Sequence, residues 1–185
     1  MDVEVPESKN PRLNAWIAIT VLCFSVCMGI AKIKDDNIVQ AMQQYKADIV
    51  DTWNEYQAKS IKLHIDEQTL LMAALQTDTP NAVAAKQLAD IQAEVTHYKQ
   101  RLPAFQATAK DKQKAFDALS YRDDQFDLAD ALLSISLAIA GIAALTGTFW
   151  LLVTCWGFGL TGFSFVVAGF MGLPWHPDAI IAFLT

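Results

Sequence analysis

Between Lys32 and Gln76 the chain has no glycine and no proline, so 45 consecutive residues contain nothing that forces a turn or ends a helix. Basic residues are also in short supply. Fourteen Lys and Arg against 20 Asp and Glu leave a net charge of −6 and no basic surface for nucleic acid. Cysteine is limited to Cys23, Cys27 and Cys155, all inside apolar runs where a thiol behaves as a small hydrophobe. Cys23 and Cys27 stand four apart, but without nearby His or further Cys the spacing reads as packed or lipid-facing thiols, not as a metal or disulfide pair. No strand-like alternation is present, so no glycine-rich loop follows a strand. Ser134 and Ser136 lie in an apolar run with no base to activate them. These absences predict a non-enzymatic protein that needs no cofactor and no metal.

What the sequence does contain is three apolar runs and one charged block. Residues 32 to 127 hold 12 of the 14 basic and 15 of the 20 acidic residues. Before them, Leu13 to Ala31 is a run of 19 residues without charge, close to the roughly 20 that a helix needs to cross a hydrocarbon core of about 30 Å. Trp16, Lys32 and Lys34 are suited to anchor its two ends. Gly29 and Ala31 also fit the small-x-small pattern of a cleaved signal peptide, but the leading MDVEVPESKNPRLN is acidic where such a peptide is basic, and the run is read as a retained anchor. After Asp130 no charge appears until Asp178. The 47 residues between are too many for one span and suit two with a tight turn. Thr146-Gly147-Thr148 is the best turn signal, with Trp156 to Gly159 as the alternative.

The charged block reads as two helical arms. In the first, Ile38, Met42, Tyr45, Ile49, Trp53, Tyr56 and Leu63 recur on one face. Thr77 to Asn81 breaks the pattern, with Thr79 able to cap a helix that begins at Pro80. In the second arm Leu88, Ile91, Val95, Tyr98, Leu102, Phe105, Ala109, Lys112, Phe116 and Leu119 are spaced strictly three and four apart, a heptad pattern with only Lys112 polar. Each arm would be roughly 65 to 70 Å long. The predicted fold is therefore all-α: an integral membrane protein whose three transmembrane helices carry a long antiparallel, coiled-coil-like hairpin between the first and second. Its parts are a polar tail at 1–12, spans at 13–31, 128–145 and 149–173, the hairpin at 32–127 with its turn at 77–81, and an interfacial tail at 174–185. Six basic residues, Lys32, Lys34, Lys46, Lys112, Lys114 and Arg122, flank the spans on the hairpin side, against Lys9 and Arg12 on the other, which predicts a cytoplasmic hairpin in a bacterial inner membrane.

Folding the arms at residues 79 to 80 sets Trp53 beside Phe105, and Tyr56 beside Leu102 and Pro103. Proline removes a backbone donor and tends to kink a helix, so this aromatic cluster is the candidate interaction site or hinge. Its plainer reading is aromatic side chains filling the gap a kink opens. The same register brings His64 level with His97 near acidic residues, but no His-x-x-x-His pair supports a metal site. Lys112 is expected to pair with Asp48 or Asp51. Small residues on one face of the second apolar run (Ser136, Ala140, Ala143, Ala144, Gly147) and glycines in the third (Gly162, Gly169, Gly172) would let helix backbones approach closely.

KDDNIVQAMQQYKADIVDTWNEYQAKSIK, Lys34 to Lys62, and FDLADALLSISLAIAGIAALT, Phe126 to Thr146, resemble the bacterial domain-of-unknown-function family 4337, most specifically over Trp53 to Lys62. The resemblance extends over nearly the whole chain after residue 12. It implies one N-terminal span, a helical middle and two C-terminal spans, and brings no activity, substrate or catalytic residue. The expected role is a membrane-anchored helical interaction or assembly protein, forming a homo-oligomer or docking a protein partner on the hairpin, with membrane lipid around its spans and no nucleic acid. A small channel or transporter accessory subunit is the alternative, motivated by the glycine-rich third run.

Overall fold

A computed structural model describes residues 10–75 and 82–175. Its elements are three helices, α1 (Pro11–Leu75), α2 (Ala82–Thr146) and α3 (Phe149–Met171), and among the described residues there is no strand. The expected turn at 77–81, most of the N-terminal tail and the tail beyond Trp175 lie outside the described residues. Every helix contains a segment long and apolar enough to cross a membrane. α1 runs unbroken from its apolar start into the charged block, as the absence of glycine and proline there allows.

The chain divides into two compact units, one formed by residues 1–41 and 118–185 and the other by residues 42–117. In the first unit α1, α2 and the whole of α3 pack around a small apolar core. Leu13 and Ile17 of α1, Ala140 and Ala143 of α2, and Leu152 and Cys155 of α3 form one buried cluster. The opposite side of α1 is equally apolar yet exposed, from Trp16 through Ile19, Leu22, Val26 and Ile30 to Ile33. A helix that is hydrophobic all round, with only one side covered by protein, is suited to lipid.

α2 leaves the helical path at Gly147, whose φ of +66° is open to glycine at little cost, and α3 begins after Thr148 in an extended conformation. The other candidate turn, Trp156 to Gly159, lies inside α3. At its far end α3 stops at Gly172, also left-handed at φ +64°, with the amides of Gly172 and Leu173 both donating to the carbonyl of Ala168.

Close packing in this unit depends on glycine. A Cβ at Gly162 would lie 3.1 Å from Leu132 Cβ and Leu133 Cγ and 3.2 Å from the carbonyl oxygen of Ala129. One at Gly169 would press on the Phe126 ring, and one at Gly159 would fall inside the ring of Phe24. Ser136, Ala140 and Ala143 are fully buried on the facing side of α2, whereas Ala144 is exposed. In an apolar solvent this fit, and not hydrophobic burial, is what draws helices together.

In the second unit the faces predicted from periodicity are the covered ones. Ile49 and Leu63 of α1, and Val95, Leu102 and Ala109 of α2, are buried. The other positions of the α2 heptad series from Leu88 to Phe116 are half-buried. Leu63, Val95 and Leu102 form a cluster onto which Tyr56, Leu70, Ile91 and Tyr98 pack.

Candidate functional site

The aromatic cluster in the second unit is packed from within its own chain. Trp53 meets Tyr56 edge to face with ring centroids 5.5 Å apart, and Tyr56 lies against the Leu63–Val95–Leu102 cluster. Phe105 is half-buried beneath Lys59 Nζ, 4.1 Å from the ring centroid, with the Arg101 guanidinium at 5.8 Å, a cation–π arrangement. Pro103 is exposed within a helix that continues through it. The carbonyl it leaves without a partner belongs to exposed Lys99, where water can satisfy it. Leu102 is therefore committed to intramolecular packing, and a charge placed there disturbs the unit's own core before any docking event.

Polar contacts pair the two helices along the same seam. Lys112 Nζ donates to Thr52 Oγ1 at 3.1 Å and lies 3.8 Å from Asp48. Lys62 pairs with Glu94 at 3.2 Å and Lys99 with Glu67 at 2.7 Å. Lys99 holds the Glu67 carboxyl below its usual range, and the Tyr98 and Glu94 side chains push Lys62 upward. His64 faces Glu67 on its own helix, while His97 packs on Tyr98. Among the described residues no group of three His, Cys, Asp or Glu could hold a metal ion.

On α1 a second row runs away from this seam. Val50, Asn54, Gln57, Ile61, Ile65, Gln68, Met72 and Leu75 are all exposed, follow one another at steps of three and four, and include no charged residue. Ile61 is 60% and Met72 71% exposed. The row continues backwards through Ala47 and Gln43, also exposed. The signal was in the sequence, in the same periodicity that marks the inner seam, but amides alternating with aliphatics hide it from a search for purely apolar faces.

In the first unit the polar residues concentrate where the apolar segments of α1 and α2 end. Arg122 of α2 donates from Nε and Nη2 to the carbonyl of Gly169, at 3.1 and 3.0 Å, and so caps the C-terminal end of α3 with a cation. Gln125, fully buried, donates through Nε2 to the carbonyls of Leu173 and Trp175, both at 2.7 Å. The start of the C-terminal tail is thereby tied to α2, and the Trp175 side chain stays exposed. Deeper in, Trp156 Nε1 of α3 donates to Thr20 Oγ1 of α1 at 2.9 Å, and Ser136 Oγ donates to the carbonyl of Cys155 at 2.8 Å. Cys23 and Cys27 line an open apolar groove between α1 and α3, about 610 Å3 in volume, and all three cysteines are free.

Carboxyl groups gather at the same level. Asp35 of α1 is 4% exposed, with Lys32 Nζ 2.8 Å from its Oδ2. Asp123 and Asp127 of α2 lie near it; burial first, then neighbouring carboxyls, raise Asp123 above the usual carboxylate range, to about 7, and partial desolvation, then neighbouring carboxyls, shift Asp127 in the same direction although that residue is exposed. Sequence reasoning passed over these residues. The visible signal was acidic pairs, Asp35-Asp36 and Asp123-Asp124, just outside two apolar runs. That the two pairs meet depends on packing.

A family model described as a domain of unknown function (DUF4337) matches residues 13–172. No curated protein and no solved structure matches the chain.

Proposed function

The chain belongs to the DUF4337 family, and from that premise and the surfaces above we propose that it is a non-enzymatic, membrane-anchored helical assembly protein of the bacterial inner membrane. In this reading residues 13–31, 128–145 and 149–173 span the bilayer, residues 32–127 form a cytoplasmic hairpin turning at 77–81, and copies of the chain associate through α1. The observation that carries the proposal is the outward row from Val50 to Leu75. A soluble helix face holding Ile61, Ile65, Met72 and Leu75 in the open, without a charge among them, is an apolar surface awaiting cover. Its spacing is that of a coiled-coil seam, and Asn54 occupies the kind of position at which one buried amide fixes register and oligomer state.

A second copy suits this face better than an unrelated chain. Copies inserted in one membrane share one orientation, so their α1 helices run parallel and in register, Asn54 beside Asn54 and Ile61 beside Ile61. Each then supplies the amide or aliphatic partner the other needs. The channel reading draws less support, because Gly159, Gly162 and Gly169 are each opposed by a neighbouring helix.

The test is the oligomeric state of the full chain in lipid nanodiscs or mild detergent, with Ile61→Glu/Met72→Glu beside the wild type. Burying an isoleucine contributes about 1.5 to 3 kcal/mol per side chain. Two copies losing it should therefore weaken association by about 100-fold or more, with helix content and membrane insertion unchanged. A monomeric wild type, or a double variant that associates like the wild type, defeats the proposal.

A further inference from the structure

Two buried carboxyl oxygens in the first unit lack the donors that buried acceptors need. Asp35 Oδ1 on α1 and Asp123 Oδ1 on α2 are both closed off from solvent, and neither meets a hydrogen-bond donor. The two side chains nevertheless lie within hydrogen-bonding reach of each other. Two ionised carboxylates in that position would leave two acceptors unsatisfied and two like charges in contact, each a cost of kcal/mol magnitude in a buried setting. Asp35 has its other oxygen on Lys32, 2.8 Å from Nζ.

Among the described residues the charged groups that act most strongly on Asp123 are other carboxyls, and half-buried Lys34 of α1 forms no ion pair with them. On α1, Lys32 is shared between Asp35 and Asp36. On α2, Asp124, Asp127 and Asp130 add negative charge around the pair, and Arg122 is committed to the Gly169 carbonyl. α3 has no acidic or basic side chain. A metal ion is not the answer either, since the acidic residues are not gathered as a ligand set.

We propose that Asp35 and Asp123 form a proton-binding site, one proton bridging the two carboxyls and joining α1 to α2 at the edge of their apolar segments. With the proton in place Asp123 donates to Asp35, and the like-charge contact between the two side chains is relieved. Without it two carboxylates oppose each other in a buried contact, and the junction is weakened. Burial of Asp123 and the charge around it put its midpoint at about 7, so the contact responds to pH in the neutral range. The site is independent of the proposed α1 association surface, which lies in the other unit.

The experiment is an infrared pH titration of the full chain in lipid nanodiscs, following the carbonyl stretch of protonated carboxyl groups. The wild type should show one carboxyl that loses its proton near pH 7, well above the ordinary aspartate range. Asp123→Asn should abolish that band, and Asp35→Asn should move its midpoint down. Asp117→Asn, in the other unit, should change nothing. A wild type whose carboxyl signal is gone by about pH 5 overturns the proposal without any variant. A neutral-range band that persists in Asp123→Asn overturns it as well.

Discussion

Replacing Gly162 by alanine tests whether close backbone approach holds α3 against α2. The added methyl would sit 3.1 Å from Leu132 Cβ and Leu133 Cγ and 3.2 Å from the Ala129 carbonyl oxygen. These are all tighter than ordinary van der Waals contact, and one is to main chain that cannot swing aside. Forcing a methyl into such a packed site costs about 1 to 3 kcal/mol. Alanine recovers about 1 kcal/mol of helix propensity relative to glycine. The net effect is therefore a loss of up to about 2 kcal/mol. Gly157 is the control: a Cβ there meets nothing within 4 Å, so Gly157→Ala keeps the propensity gain of up to about 1 kcal/mol. The two variants should differ by about 1 to 3 kcal/mol, read as midpoints of thermal or denaturant unfolding of the full chain in one detergent. Equal stability of Gly162→Ala and Gly157→Ala would refute the claim that α2 and α3 meet at van der Waals limits there.

Two further outcomes follow from the polar edge of the same unit. Arg122→Ala leaves the Gly169 carbonyl without its cationic donor and should cost about 1.5 to 3 kcal/mol, with faster amide exchange over residues 170–173 as the local signature and partial recovery in Arg122→Lys. Stability should also fall as pH rises. A carboxyl whose folded pKa of about 7 exceeds its ordinary 3.8 binds its proton more tightly in the folded state. Its contribution is complete below pH 3.8, declines between the two values and is gone above about 7. Asp123→Asn should flatten this part of the unfolding-versus-pH curve.

Several features were legible because they depend on local chemistry. The lack of glycine and proline after Lys32 foretold a helix that enters the charged block without a break, and α1 is continuous to Leu75. The seam of α2 was legible because burial on one side of a helix leaves a period of three and four that no tertiary information is needed to see. Other features were not. That α2 continues through Pro103 as one helix is one of them. The freed carbonyl belongs to an exposed residue that water can serve, and exposure is not written in the sequence.

By itself, then, the sequence determined that the described residues form an all-α fold, that the chain's long helices carry segments apolar enough for a membrane, and that it belongs to its family. These follow from propensity, period and composition, which are properties of neighbours along the chain. Only the tertiary structure decided that Asp123 of α2 meets Asp35 of α1, that Arg122 and Gln125 secure the end of α3, that Gly162 gives α3 room against α2, and that Leu102 faces inward while Ile61 faces out. The physical reason is the same in each case: such contacts join residues tens of positions apart, and their free energy exists only once the helices have chosen which faces to press together.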